Sequence, residues 1–244
     1  MDLSSTLPGR GVLEGAFQIL RALEQATLPL RVGDVSQATG MPKQTVSRLL
    51  RQMEAVGAVE RVPDGIVMGP SMFIFGAQWP AARTGVVAAP ALSALHARTG
   101  ATVHLATLVN GSVVYVSKLS GAHGAKAPSV VGGSQEPTGS AVGKALLSGL
   151  SPAGLQAVLA GTPARNGIEM RMAVAEVSRV GVAFDLEEIA TGLCCVAAPV
   201  VEAGGAVVAA LSLSVPADRP LRPLIAEVRA AARVLGAIHR EQSR

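Results

Sequence analysis

The stretch from residue 30 to residue 69, LRVGDVSQATGMPKQTVSRLLRQMEAVGAVERVPDGIVMG, has the pattern of a helix-turn-helix followed by a two-stranded wing. A short run with apolar residues at helical spacing, residues 32–38, is stopped by Gly40. Two short apolar segments further along are joined by Pro63-Asp64-Gly65, which favours a tight turn. Between the short first helix and this strand pair, a longer helix follows Pro42. Its predicted apolar stripe is Val46, Leu49, Leu50, Met53 and Val56.

The polar face of the longer helix is the candidate DNA-reading surface. Opposite Val46 it has two guanidinium groups, two amides and a hydroxyl, and the first acid comes only at Glu54. Arginine and lysine can bond guanine edges, glutamine can pair with adenine, and hydroxyl groups can hold phosphates. With one arginine from the wing, the predicted DNA-contacting residues are Pro42, Lys43, Gln44, Thr45, Ser47, Arg48, Arg51 and Arg61.

The overall charge leaves a second interpretation of this helix open. Residues 1–70 contain seven basic and seven acidic side chains, so their net charge is zero, although the whole chain carries +4. A lone helix of this kind is more often an amphipathic helix with a solvated polar face. The order of three helices and a turn-joined strand pair favours DNA binding over that interpretation.

The remainder of the chain predicts one more N-terminal helix and a mixed second domain. Glycine and proline punctuate residues 70–86, which we expect to form a linker before a helix that begins at about residue 86. Asn110-Gly111 predicts a β-hairpin, and residues 121–137 form a glycine-rich loop. The first helix is expected to bury a face composed of Leu13, Ala16, Phe17, Leu20 and Leu23.

Several of these motifs resemble the isocitrate-lyase-regulator (IclR) family of transcription factors. The N-terminal match includes TGMPK at Thr39–Lys43 and TVSRLL at Thr45–Leu50. Further along, GATVHLATLVNGSVVYVSKLSG, PTGSAVGKALLSGLS and VGVAFDLEEIATGLCCVAAPVVEAGGAVVAALSLSVP are similar to strands and a helix of the family's effector domain. The resemblance covers about residues 12–240.

The resemblance implies an α+β fold. It predicts a winged helix-turn-helix at residues 12–69, a linker at 70–86, and a GAF-like α/β effector-binding domain with an antiparallel-rich sheet at 87–241, after a disordered N-terminus at 1–11. It implies an operator-binding regulator, expected to be a repressor, that responds to a small-molecule effector such as a small organic acid. The implied effector-binding residues are Gly139, Ser140, Asp185, Cys195, Ser212 and Ser214.

The implied partners are double-stranded DNA with a palindromic operator and further copies of the chain, as a homodimer or a dimer of dimers. Four residues are too large and apolar for an exposed linker, and we expect them to bury against a partner subunit: Met72, Phe73, Phe75 and Trp79. No cofactor, metal or membrane is expected. Cys194 and Cys195 are adjacent in sequence, and adjacent cysteines rarely form a disulfide bond with each other. Free thiols favour a location in the reducing cytoplasm.

Enzyme motifs are weaker in this sequence. The stretch Thr138–Ala145 resembles a phosphate-binding loop but has no glycine at its first position and no hydroxyl residue after Lys144. Asp185, Glu187 and Glu188 are compatible either with a paired-carboxylate site or with the start of a helix, where acids are favoured. The alternative function is therefore a small-molecule-binding enzyme or sensor domain with an accessory helical dimerisation domain.

Overall fold

The computed structural model describes residues 11–121, 127–161 and 167–242, which form two compact units divided between Pro80 and Ala81. The predicted disorder of residues 1–11 lies, apart from Gly11, outside the described residues. The N-terminal unit comprises α1 (Val12–Gln25), α2 (Val32–Thr39), α3 (Lys43–Ala55), β1 (Val59–Val62), β2 (Gly65–Met68) and α4 (Pro70–Ala77).

The first three helices pack around one apolar core. Ile19, Val35 and Val46, one from each helix, are completely buried there. Helix α1 crosses α3 closely at Gly15, because a Cβ atom at that position would lie only 2.9 Å from Leu49 Cδ1. The absence of a side chain at Gly15 therefore sets how closely the two helices approach each other.

The buried faces of α1 and α3 differ in part from the predicted ones. Leu13 and Phe17 were expected in the core but are 76% and 61% exposed, whereas Ile19 is buried. Helix α1 is apolar on two faces, and helical periodicity does not say which face meets the core. Val56, predicted at the end of the α3 stripe, is also exposed because α3 ends at Ala55.

The wing is fastened to the chain segment that precedes α2. Strands β1 and β2 pair in antiparallel fashion, and Leu30 exchanges two backbone hydrogen bonds with Ile66, of 3.1 and 2.9 Å. A Cβ atom at position 65 would lie 2.7 Å from the Leu30 carbonyl oxygen. Gly65 therefore allows the close approach of these two backbones as well as the turn that the sequence predicts.

Residues 70–86, predicted as a linker, are largely helical. Helices α4 and α5 (Pro80–Thr99) each begin at a proline, which is tolerated in the first turn because its missing N–H would have no intrahelical partner. Ser71 Oγ donates to the Val56 carbonyl at 3.0 Å and ties α4 to the N-terminal unit. Gly85 of α5 is buried in the C-terminal unit, so the segment is divided between the two units.

The C-terminal unit is built on a six-stranded antiparallel sheet in the order β5-β4-β3-β8-β7-β6. The hairpin turn between the first two long strands has positive φ at Asn110 (49°) and Gly111 (82°), as this residue pair predicts. The short fifth strand lies inside the segment predicted as a loop. The strands are β3 (Thr102–Val109), β4 (Ser112–Leu119), β5 (Ser134–Gln135), β6 (Ala183–Leu186), β7 (Leu193–Val201) and β8 (Val207–Pro216).

Helices cover both faces of this sheet. Helices α5 and α9 (Arg222–Gln242) pack on one face, where Leu211 and Leu213 of β8 are buried. On the other face lie α6 (Ala141–Leu147) and, behind it, α7 (Pro152–Ala160) and α8 (Gly167–Val180). The architecture confirms the predicted α+β class.

Within residues 11–121, 127–161 and 167–242, every helix is either too short or too polar to cross a bilayer.

Candidate functional site

Helix α3 presents the predicted polar face to solvent. Its apolar side chains are buried in the core of the N-terminal unit, while Lys43, Gln44, Arg48 and Arg51 are exposed. Pro42, which precedes the helix, is also exposed, and the shorter side chains of Thr45 and Ser47 are half-buried at the edges of this face. The residues predicted to contact DNA from α3 thus share one solvent-facing surface.

The turn between α2 and α3 is fixed by local hydrogen bonds. Gly40 ends α2 with a φ of 65°, and Ser36 Oγ donates to the Met41 carbonyl at 2.6 Å. Pro42 then starts α3 without a side-chain cap, so the first-turn N–H groups of α3 are open to an anion. A phosphate placed there would also meet the positive end of the helix dipole.

Arg61, the wing residue in the predicted set, is engaged within the chain. Its Nε donates to Glu54 Oε2 at 3.0 Å, and both side chains are partly exposed. The Arg61 charge is therefore neutralised by Glu54 at the end of α3. Unlike the other predicted DNA-contacting residues, Arg61 is not part of the exposed polar face of this helix.

A second candidate site is a pocket on the α6 side of the sheet in the C-terminal unit. Side chains alternate along β8, so Ser212 and Ser214 face α6 while their apolar neighbours face α9. Five of the six predicted effector-binding residues line this pocket: Ser140, Asp185, Cys195, Ser212 and Ser214. Gly139 is not part of the lining and belongs to the 3-10 turn Pro137–Gly139.

His104 on β3 holds one wall of the pocket together. Its Nε2 lies 2.7 Å from Ser129 Oγ, and its Nδ1 lies 3.4 Å from Ser212 Oγ. Burial and the nearby charge of Lys118 lower the pKa of His104 from 6.5 to about 4. The imidazole is therefore neutral at physiological pH and links the segment carrying Ser129 to strand β8.

Asp185 is the carboxylic acid of the pocket. It is almost completely buried on β6, and its Oδ1 accepts a hydrogen bond from the Glu188 N–H at 2.8 Å. Burial is the largest cause that raises the pKa of Asp185 above its ordinary value. A buried carboxyl of this kind accepts a hydrogen bond from a ligand hydroxyl more readily than it tolerates a second negative charge.

The sequence interpretation of the three neighbouring acids as the start of a helix is wrong. Asp185 lies within strand β6 and is followed by a turn. Glu187 Oε2 accepts from the Gly192 N–H at 2.7 Å, and Glu188 pairs with Lys144 at 2.5 Å. The three carboxylates thus have three different hydrogen-bond partners, although the charge of Glu188 also contributes to the raised pKa of Asp185.

The two cysteines are free thiols on opposite faces of β7. Cys195 Sγ lies 3.1 Å from Ser214 Oγ inside the pocket. Burial raises the pKa of Cys195 to about 12, so the thiolate that would act as a nucleophile is not formed at neutral pH. Among the described residues, no cluster of three or more histidines, cysteines and acids has metal-binding geometry.

The first turn of α6 is capped by a side chain. Ser140 Oγ accepts the Gly143 N–H at 3.1 Å, so this N–H group is not available to a ligand. Lys144 is buried, and its Nζ donates to the Phe184 carbonyl at 2.9 Å as well as to Glu188. Lys144 therefore serves the packing of α6 against β6 and is not available to a phosphate.

Four polar residues of the pocket were not identified from the sequence: His104, Tyr115, Ser129 and Gln135. His104 pairs directly with Ser212 across β3 and β8. The sequence signal for His104 is a histidine within an otherwise apolar strand. Its role could not be predicted from this signal, because its partners Ser129 and Ser212 are distant in the chain. Burial raises the pKa of Tyr115, which keeps it a phenol donor at neutral pH.

Comparison with known proteins places both units in one family. The IclR helix-turn-helix domain matches residues 12–63, and the bacterial transcriptional regulator IclR C-terminal domain matches residues 84–237. The HTH-type transcriptional regulator XynR of Escherichia coli (strain K12) is 32% identical over 217 residues, which cover 83% of this chain and 84% of that protein. The transcriptional repressor IclR of the same organism is 26% identical, covering 88% and 84%.

A solved structure shows the same fold. An IclR homologue from Microbacterium hydrocarbonoxydans, crystallised with 4-hydroxybenzoate, has a TM-score of 0.86 and 23% identity, covering 93% of this chain and 98% of that one. These relatives are DNA-binding regulators with an effector-binding domain, so the alternative of an enzyme with an accessory helical domain is not favoured. The C-terminal domain match alone spans more than half of this chain. The chain therefore belongs to the IclR family of bacterial transcription regulators.

Proposed function

We propose that the protein binds a palindromic operator as a homodimer or a dimer of dimers and represses transcription until a small organic acid enters the pocket of the C-terminal unit. The observation that carries this proposal is that one chain has both an acid-free recognition face, centred on Arg48, and a separate polar pocket that contains Asp185. Relatives of this chain include proteins named as repressors.

The exposed face of α3 supports major-groove binding. Arg48 and Gln44 are long, exposed and able to form paired hydrogen bonds to guanine and adenine edges. Thr45, Ser47 and the open N–H groups after Pro42 are suited to phosphates, which fix the position of the helix without reading sequence. Arg61 joins these contacts only when it leaves Glu54.

Exposed apolar side chains of the N-terminal unit support self-association. Phe73 and Phe75 on α4 are 80% and 65% exposed, and Trp79 is also exposed. Large apolar groups at this density are typical of a subunit interface. Met72 was also predicted to bury against a partner subunit, but it packs against the core of its own unit. A two-fold symmetric dimer would bind two half-sites, which is why we propose a palindromic operator.

The pocket supports a small effector. Its lining mixes hydroxyl, thiol, imidazole and apolar groups. A relative with the same fold was crystallised with 4-hydroxybenzoate, a small organic acid. A regulator of transcription acts where the chromosome is, and the proposal therefore places the protein in the bacterial cytoplasm.

The direct test is a mobility-shift assay on the DNA upstream of the protein's own gene, run with a panel of small carboxylic acids. We expect a shifted band that at least one acid weakens. Calorimetry should then show that the double variant Ser212→Ala/Ser214→Ala binds this acid less tightly while it still binds DNA. An acid that releases DNA but binds the double variant as well as the wild type would place the effector site elsewhere.

A further inference from the structure

Two hydrogen-bond donors that line the pocket have no hydrogen-bond partner among the described residues. Gln135 Nε2 is fully buried and unpaired there. The Tyr115 hydroxyl makes no hydrogen bond within the described part of the chain, and its ring lies 5.4 Å from that of His104. Buried polar groups in folded proteins are nearly always bonded, so the unpaired Gln135 amide on the pocket wall indicates a missing ligand.

The other polar groups of the pocket are already occupied. His104 contacts two serines through its two ring nitrogens, Ser214 contacts Cys195, and Ser140 caps α6. Tyr115 and Gln135 are therefore the donors with free capacity on this wall. Their location on β4 and β5 puts them next to the segment carrying Ser129, which also lines the pocket.

The described residues that line the pocket offer no counter-ion to a strongly charged ligand. Of the described residues that line it, none is lysine or arginine, and Asp185 is the one carboxylic acid. Lys118 Nζ donates to the carbonyls of Ala127 and Ser129 at 3.0 and 2.7 Å, and Lys144 pairs with Glu188. A monocarboxylate can share its charge with the two donors, but a second negative charge on the ligand would be buried beside Asp185 without compensation from the described lining, which is costly.

We propose that Tyr115 and Gln135 are effector-contacting residues that donate hydrogen bonds to one acceptor group of the ligand, and that the pocket takes neutral molecules and monocarboxylates but rejects dianions. A carboxylate, ketone or amide oxygen satisfies both donors, whereas a dicarboxylate or a phosphate ester brings a second charge that none of the described lining residues neutralises. This inference rests on the proposed function, because it takes this pocket as the effector site.

The first experiment measures thermal stability without any ligand. Tyr115→Phe removes a hydroxyl without a partner, so its Tm should equal or exceed that of the wild type. The matched control is Thr107→Val, which removes a hydroxyl that donates to the Val208 carbonyl at 3.1 Å in the same sheet. The control should lower Tm by about 2–4 °C. A similar loss in Tyr115→Phe would overturn the inference, because it would reveal a structural partner.

The second experiment measures binding by calorimetry with 4-hydroxybenzoate, 4-hydroxybenzamide, pyruvate, 4-hydroxyisophthalate and phenyl phosphate. The two dianions should bind at least about tenfold more weakly than the best of the other three. Tyr115→Phe and Gln135→Leu should each lower the affinity for the tightest-binding probe by about tenfold without loss of protein stability. Wild-type affinity in both variants, or preference for a dianion, would contradict the inference.

Ser212→Ala/Ser214→Ala separates this inference from the proposed function. If that double variant binds the best probe as tightly as the wild type, the pocket is not the effector site and the proposed function fails. If it loses binding while Tyr115→Phe and Gln135→Leu do not, only the assignment of the two donors fails. Failure of every probe to bind the wild type would also count against the inference, since the panel contains carboxylate, ketone and amide acceptors.

Discussion

The Glu54 carboxylate accepts a hydrogen bond from Arg61 Nε at 3.0 Å and so joins the end of the recognition helix to the first strand of the wing. Both side chains are partly exposed, and an ion pair of this kind contributes only about 0–1 kcal/mol to stability. Its larger consequence is electrostatic, because Glu54 neutralises a wing cation that would otherwise be available to a phosphate.

Glu54→Gln should therefore increase the affinity of the protein for DNA of any sequence. The variant frees Arg61, and one added phosphate contact steepens the slope of log affinity against log salt by about 0.9. Fluorescence anisotropy with a random-sequence duplex, between about 50 and 200 mM salt, measures this slope.

The control for this prediction is Glu60→Gln, which removes a neighbouring negative charge from the same strand and leaves the Glu54–Arg61 pair intact. Glu60→Gln should leave the slope nearly unchanged, and adding Arg61→Gln to Glu54→Gln should abolish the increase. Equal slopes for the two single variants would mean that Glu54 acts only through net charge.

Arg48 and Arg51 should differ in what they contribute to DNA binding. Arg48→Ala should lose about 1–3 kcal/mol of operator affinity and relax the sequence preference, if the guanidinium bonds a guanine. Arg51→Ala should weaken operator and random duplex alike and lower the salt slope by about 1, as expected for a phosphate contact. Wild-type operator affinity in folded Arg48→Ala would contradict this division of roles.

The helix-turn-helix was predictable because its signals are local. Gly40 and Pro42 mark the end of one helix and the start of the next, and the buried residues of α3 follow the predicted stripe up to Met53. The linker was harder to predict, because proline and glycine indicate breaks in the chain. Pro70 and Pro80 instead occupy first helical turns, where proline is tolerated.

The pocket was predictable only where two residues lie close in sequence. Ser212 and Ser214 alternate with apolar neighbours, so a shared face follows from strand geometry. His104 could not be placed, because its partners Ser129 and Ser212 depend on a strand register that is set by distant parts of the chain. Leu13 and Phe17 were misplaced for another reason, since helical periodicity does not distinguish an apolar face that stays exposed from one that packs into the core.

The exposed apolar face of α4 should be needed for self-association. Phe73→Ser combined with Phe75→Ser removes two large exposed side chains, so the variant should sediment as a smaller species than the wild type at micromolar concentration. Leu28→Ser is the control, because Leu28 is also exposed but lies in the loop after α1. A wild type that sediments as a monomer at that concentration would refute the proposed dimer.

His104 should make the stability of the protein depend on pH below neutrality. Its pKa is about 4 in the folded protein because of burial and the charge of Lys118, against an ordinary value of 6.5. Between these two values the unfolded chain binds a proton that the folded chain does not. The free energy of unfolding therefore falls as pH decreases from 6.5 towards 4, by roughly 3 kcal/mol in total.

The measurement is urea unfolding of wild type and His104→Gln at pH 7 and pH 5. Wild type should lose about 2 kcal/mol more than the variant over this interval, since glutamine does not titrate. Asp185 acts in the opposite direction, because its raised pKa favours the folded, protonated form at low pH, but it is present in both proteins and cancels in the difference. Equal losses in the two proteins would show that His104 accepts a proton as readily in the folded state as in the unfolded one, and that the imidazole is not the neutral link between Ser129 and Ser212 that its burial implies.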